Sequence, residues 1–342
     1  MILMKAVNMN NCLRLFFFLF CSVGAAAAAD TEITPFNSFN QSPLIQIYGV
    51  PHDTSAEIVP TGKFRISLNQ DLSSNYTSSS TTREQITLDG ETYRLSLAAR
   101  YGIVPGWEAG IEVPYISQGG GFLDSFIIDW HKTFGLSQGG RDGAPRGRML
   151  YSYRKDGVQK LLADRSGSGV GDILLTGGAS LYDSRGEDHH DRVSLKGAVK
   201  LPTGDSSRLL GSGGTDAMLQ LCGSMVSYGE AGSLGIYASA GVLAMSKSDV
   251  LRDQHNRLAG VGSLGFGWGP ASWISFKTQI NGTTPLYRNS SLDELSTSPL
   301  MLIFGGTLNF PDEYLLDIGV AEDVAVAAAP DVSFHLGLSK RF

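Results

Sequence analysis

The chain ends Val332-Ser333-Phe334-His335-Leu336-Gly337-Leu338-Ser339-Lys340-Arg341-Phe342. In an extended backbone, successive side chains point to opposite faces. Val332, Phe334, Leu336 and Leu338 then share one face, and Ser333, His335, Ser339 and Arg341 share the other. A period of two over this length marks a strand with one apolar and one polar face.

Working back along the chain, the same period recurs. In residues 62–76, Phe64, Ile66, Leu68 and Leu72 alternate with Arg65, Ser67, Asn69 and Asp71. In residues 92–101, Tyr93, Leu95, Leu97 and Ala99 oppose Arg94, Ser96 and Arg100; in 107–117, Trp107, Ala109, Ile111, Val113 and Tyr115 oppose Glu108 and Glu112. From Val170 onward the alternation is almost continuous. It passes through Leu195 beside Lys196, Ile274 beside Ser275, Leu302 and Phe304, and Ile318 beside Asp317. The count is about twelve strands, and no run approaches the ~20 apolar residues of a membrane helix.

Connection lengths show which architecture this is. The turns near 104–106, 184–188, 229–230, 269–270 and 311–312 are short, and the connections 118–168, 203–214, 246–256 and 285–297 are long. Short turns at one end and long loops at the other are the habit of transmembrane barrels. Aromatics crowd the short turns: Tyr101, Trp107, Tyr182, Tyr228, Trp268, Trp273, Phe310, Tyr314 and Phe342. A girdle of this kind fits a membrane interface. The predicted fold is therefore all-β: a transmembrane antiparallel up-and-down barrel, with a short amphipathic helix in a long outer loop. A soluble sandwich has the same local period but no reason to ring one edge with aromatics. Counting the hairpin-like stretch 149–162, or residues 44–50, as wall would raise the number to about fourteen.

The N-terminus reads as an export signal. Lys5 and Arg14 precede Leu15-Phe16-Phe17-Phe18-Leu19-Phe20, and Ala27-Ala28-Ala29 fits small-residue cleavage. The expected division is signal peptide 1–29, periplasmic segment 30–61 and barrel 62–342, with outer loop 118–168. Lipoprotein cleavage before Cys21 would need a small residue where Phe20 stands. Removing residues 1–29 takes two bases and no acid, leaving 25 Lys and Arg against 33 Asp and Glu, a net of −8. That acidity argues against nucleic acid as a partner. Only Cys222 remains, so the mature chain has no internal disulfide. The expected location is the outer membrane, with its lipid as surroundings.

Several stretches resemble a known bacterial family. Asn40-Gln41-Ser42-Pro43-Leu44 with Tyr48-Gly49-Val50-Pro51, Asp89-Gly90-Glu91-Thr92, Phe122-Leu123-Asp124-Ser125-Phe126-Ile127, and His131-Lys132-Thr133-Phe134-Gly135-Leu136 are similar to the family called domain of unknown function 3187. Val170-Gly171-Asp172 and Lys200-Leu201-Pro202-Thr203-Gly204-Asp205 look like segments of several barrel families, including proteins grouped with phenol degradation. The resemblance implies an outer-membrane barrel and no established activity. The last strand, ending in Phe342, resembles the C-terminal signal read by barrel-assembly machinery.

Candidate function follows from the faces. Inward charges Arg94, Arg100, Lys196, Lys200, Lys277, Glu108, Glu112 and Asp317 would line a lumen. Phe122, Phe126, Ile127, Trp130 and Phe134 recur at helical spacing. That helix could plug the lumen, cap its mouth or lie on lipid, and Phe126, Trp130 and His131 are expected gate residues. The reading is a channel or transporter for an unidentified small solute, without cofactor or metal. The alternatives are a lipid hydrolase or a structural barrel. For a hydrolase, His131, His189, His190, His255 and His335 are available, but no Gly-x-Ser-x-Gly elbow exists. His189-His190 beside Glu187, Asp188 and Asp191 reads as a solvated turn rather than a metal site. The glycine-rich stretch 167–171 leads into a strand, not a helix, which excludes a phosphate loop.

Overall fold

The computed structural model describes residues 33–135, 140–324 and 328–342, with the side chains of Trp130, His131 and Phe134 outside the description. The expected signal peptide lies outside the described residues. In chain order the strands are β1 (Phe64–Ser80), β2 (Glu84–Val104), β3 (Trp107–Gly119), β4 (Leu150–Lys155), β5 (Val158–Ala163), β6 (Gly167–Val170), β7 (Leu174–Arg185), β8 (His189–Lys200), β9 (Asp216–Gly229), β10 (Gly232–Met245), β11 (Leu258–Ala271), β12 (Ile274–Thr283), β13 (Leu300–Phe310), β14 (Tyr314–Asp323) and β15 (Val332–Arg341). Two short α-helices lie among the described residues, α1 over Asp124–Phe134 and α2 over Asp293–Ser296.

These strands build a closed antiparallel barrel of 12 wall strands. β15 pairs with β14 on one side and β1 on the other, with Leu68 opposite Leu338. Closure gives every wall strand two neighbours and so removes the unpaired edges that an open sheet would show. β6 and β7 together form the fourth wall strand, since both pair with β3. The ladder skips Val113 and Pro114, because proline has no N–H to donate. There Gly171 N donates to the Pro114 carbonyl at 2.9 Å instead.

The alternation holds around the wall. Leu97, Leu219, Ile236 and Ile318 are exposed outward, while Ser96, Gln220 and Tyr237 beside them are buried inward. The fourth short turn differs from expectation: β11 continues to Ala271, past Pro270, with a register shift after Trp268. At the short-turn end Phe64 and Tyr101 pack at 4.5 Å between ring centroids, and Lys340 lies over the Tyr314 and Phe342 rings. β4 and β5 form a hairpin that joins only the loop-end extension of β2, residues 84–89. It does not enter the wall, which is why the count stays at 12.

Residues 33–61 do not form the expected segment beneath the barrel. They run inside it. Ile33 packs with Val226 and Tyr237, next to the β9–β10 turn. Gly235 and Gly267, paired across β10 and β11, leave room for it: a Cβ on Gly267 would stand 2.4 Å from Ile33 Cγ2. The chain then climbs to a turn over 43–47, closed by Ile45 N and Gln46 N donating to Ser42 O. It descends to Thr61, which bridges to Gly102 back at the short-turn end. Both ends of this hairpin-like plug therefore lie at the same mouth. Its tip, with Leu44, Ile45, Ile47 and Tyr48, is buried against Tyr151 and Tyr153 of β4 and loop residues Leu251, Leu286, Tyr287 and Leu292. This apolar cluster caps the loop end.

Helix α1 sits elsewhere than the expected gate. Leu123 and Ile127 pack on Val332, Leu72, Val320 and Phe334. Leu72, Phe334 and Val320 are direct cross-strand partners on the outward face of β1, β15 and β14. The helix thus lies against the outside of the wall near the loop end. Phe126 is exposed there, with its ring 6.0 Å from that of Phe334. The physical reason is complementarity: an apolar helix face finds an apolar groove outside, whereas the lumen is polar and already filled. Arg141 holds the helix by bonding Asp124 at 2.6 Å and Asp331 at 2.7 Å.

Candidate functional site: a plugged, charge-lined lumen

The inward positions of a barrel strand are forced by its pleat, so the polar set of each strand meets in one shared interior. Every predicted lumen residue is found there: Arg94, Arg100, Glu108, Glu112, Lys196, Lys200, Lys277 and Asp317 all face inward, and their side chains are largely buried. The expected gate group is not among them. Phe126 lies outside the barrel, and the side chains of Trp130 and His131 lie outside the described residues.

Burial of so many charges requires partners, because an isolated ion loses its hydration. Several pairs are made within the wall. Lys277 Nζ is 2.7 Å from Asp317, to which Thr307 Oγ1 also donates at 2.6 Å. Lys200 Nζ meets Asp172, lies 3.4 Å from Asp216, and donates to Ser212 Oγ at 2.7 Å. Arg94 approaches Glu112 at 3.4 Å. His335 bonds Asp71 at 2.8 Å.

The plug supplies the remainder. Asp53 accepts from Arg100 Nη1 at 2.6 Å and Lys196 Nζ at 2.7 Å. Glu57 accepts from Arg65 at 2.5 Å and from Arg341. His52 bonds Glu112 at 2.7 Å and stacks on Phe39 at 3.9 Å between centroids. Backbone groups join too: Phe36 N donates to Gln279 on β12, Gly49 N to Asp216 on β9, and Val59 N to Glu108 on β3. Contacts to such widely separated strands hold the plug inside the ring of strands. Between plug and wall lies a cavity of about 60 Å³ lined by Asp53, Arg100, Glu108, Glu112 and Lys196, and another of about 30 Å³ beside Thr54 and Thr283. These volumes suit a few waters.

Sequence reasoning missed the plug residues His52, Asp53 and Glu57. A signal was present: Ile33, Phe36, Phe39, Leu44, Ile45, Ile47 and Val50 are too many apolar residues, without strand alternation, for a stretch surrounded by water.

Among the described residues no histidine side chain is paired with a serine hydroxyl. The described side-chain hydrogen bonds of His52, His189 and His335 go to Glu112, Asp188 and Asp71, those of His190 to Asp183 and Arg192, and those of His255 to backbone groups of Ser248 and Asn256. Among the described residues no group of His, Cys, Asp and Glu side chains is arranged to hold a metal ion.

Among solved structures, the chain is similar to the COG4313 outer membrane channel from Pseudomonas putida F1, with a TM-score of 0.52 at 13% identity over 84% of this chain and 98% of that one. It is similar, less closely, to the NanC porin, at 0.40 and 9% identity over 80% of this chain and 98% of that one. A third likeness is to the Ralstonia pickettii toluene transporter TbuX, at 0.35 and 10% over 95% and 100%. At these identities the likeness is one of fold, and the first shows the fold to be that of an outer-membrane β-barrel. No curated protein matches the chain. Residues 13–342 match the family described as "Protein of unknown function (DUF3187)", and the chain belongs to it.

Proposed function

We propose that this protein is a gated channel for small solutes in the outer membrane, closed in the present conformation by residues 33–61. The short-turn end then faces the periplasm and the loop end the exterior. One observation carries the reading: the lumen is filled by a segment that belongs to no wall strand and has both ends at one mouth. A barrel stabilised by its own side chains needs no such insert. A segment hinged at the periplasmic mouth can withdraw without breaking a wall hydrogen bond. Its contacts with the charged wall residues are ion pairs and hydrogen bonds, groups that water can hydrate once the plug leaves; its apolar contacts, at the tip and around Ile33 and Phe36, are what withdrawal has to break. The Pseudomonas putida F1 neighbour is described as an outer membrane channel, which agrees with the reading.

The test is conductance in planar bilayers. The full chain should be mostly closed, and a variant lacking residues 33–59 should conduct steadily. A variant that folds as a barrel by circular dichroism yet stays silent refutes the channel.

A further inference from the structure

The wall carries an unusual row of like charge near the periplasmic mouth. In the strand register, Arg65 stands directly opposite Arg341 on β15 and directly opposite Arg100 on β2. Like charges placed opposite each other across strands repel. Lys196 on β8 comes to the same place, since its Nζ shares the Asp53 carboxylate with Arg100. The wall's own acids here are few. Glu108 lies 3.1 Å from Arg100 and 3.5 Å from Lys196, and Glu313, largely exposed at the β13–β14 turn, lies 3.4 Å from Arg341.

The rest of the balance is brought by the plug. Glu57 spans Arg65 and Arg341, and Asp53 spans Arg100 and Lys196. The other wall cations each keep an acid of the wall, although His52, Gly49 N and Ser38 of the plug also bond Glu112, Asp216 and Asp71. Arg94 has Glu112, Lys277 has Asp317, Lys200 has Asp172 and Asp216, and His335 has Asp71. Withdrawing the plug therefore uncovers one place of excess positive charge. That place is preorganised: Arg65 is buried in the wall and keeps an Nε–H with no acceptor among the described residues. Guanidinium forks match carboxylate geometry.

We propose that the Arg341–Arg65–Arg100–Lys196 row is a binding site for small carboxylate-bearing anions, and that Asp53 and Glu57 occupy it in the closed state as stand-ins for the solute. This rests on the channel reading for its role in passage, but the site itself stands on the register and the ion pairs. The cavity beside Asp53 and Lys196 gives a small carboxylate room to settle.

The experiment has two arms. In the first, the reversal potential of the variant lacking residues 33–59 is measured in a potassium chloride gradient. Chloride should be preferred over potassium several-fold, and Arg65→Gln with Arg100→Gln in that background should erase most of the preference. A conducting but unselective or cation-preferring pore overturns the inference and leaves the channel reading intact. A silent pore refutes the channel reading, and the second arm then decides the site. In the full-length chain, Asp53→Ala should lower the thermal midpoint, and sodium acetate should restore it beyond sodium chloride at equal ionic strength. Equal restoration by the two salts overturns the anion site.

Discussion

Replacing Glu57 by glutamine should open the lumen to water-borne reagents, and Cys222 reports it. Cys222 is a fully buried free cysteine on β9, on the inward face with Gln220 and Ser224. Cys12 and Cys21 lie in the expected signal peptide, and substituting both with serine makes Cys222 the one thiol whether or not that peptide is removed. In the closed state Glu57 is clamped by Arg65 at 2.5 Å and by Arg341. Removing one partner of a buried ion pair typically costs ~3–5 kcal/mol, because the other charge is left uncompensated. The present case falls at or below the lower end. The Arg341 side chain is 24% exposed and retains Glu313 at 3.4 Å. A net loss of about 2–3 kcal/mol in plug docking remains, and each 1.4 kcal/mol is about tenfold in an equilibrium. The open population should rise roughly 30- to 140-fold. Where reclosing outpaces labelling, the rate at which a small hydrophilic thiol reagent modifies Cys222 rises in proportion to that population. The assay is that rate, in detergent, on barrels whose fold is verified by circular dichroism. An unchanged rate would show that the Glu57 clamp does not hold the plug, and the reasoning would fail.

Bulky replacements at Gly235 and Gly267, such as valine, should expel Ile33 from its niche and raise the same labelling rate, while strand content stays constant. Arginine at the outward positions Leu195, Leu302 or Ile318 should cost ~2–4 kcal/mol, read as a fall in the urea midpoint of unfolding in lipid, and at Ile274, the first residue of β12 beside the short turn, only ~0–1 kcal/mol. The inward neighbour Ser275 should accept small polar exchange. Lys196 and Asp317 should not, because each is ion-paired: Lys196→Gln would leave Asp53 and Glu108 short of a cation. Arg141→Gln should loosen α1 by removing its bonds to Asp124 and Asp331. Protease cleavage between residues 120 and 147 should then quicken, with the conductance of the plug-deleted channel unaltered; altered conductance would place the helix at the pore after all.

The wall of this barrel was legible in the amino-acid order because membrane and lumen impose a strict period of two. Phe64, Ile66 and Leu68 must face out if Arg65, Ser67 and Asn69 face in, and short turns beside Tyr101, Trp107 and Tyr314 mark the interface. Strand number, parity and the inward charges follow from such local rules. What fills the lumen does not. Residues 33–61 carry no strand period, and their partners lie far along the chain, as with Glu57 and Arg341. Helix α1 was visible as an amphipathic stretch, but its spacing says only that one face is apolar. Leu72, Val320 and Phe334 come together only once β1, β14 and β15 are adjacent, and that closure decides that the helix docks outside. The sequence by itself determined which face of each strand meets lipid, since alternation is a local property. Only the tertiary structure decided that Arg341, Arg65 and Arg100 share one row and that a plug neutralises it, because register and burial arise when distant segments close into one ring.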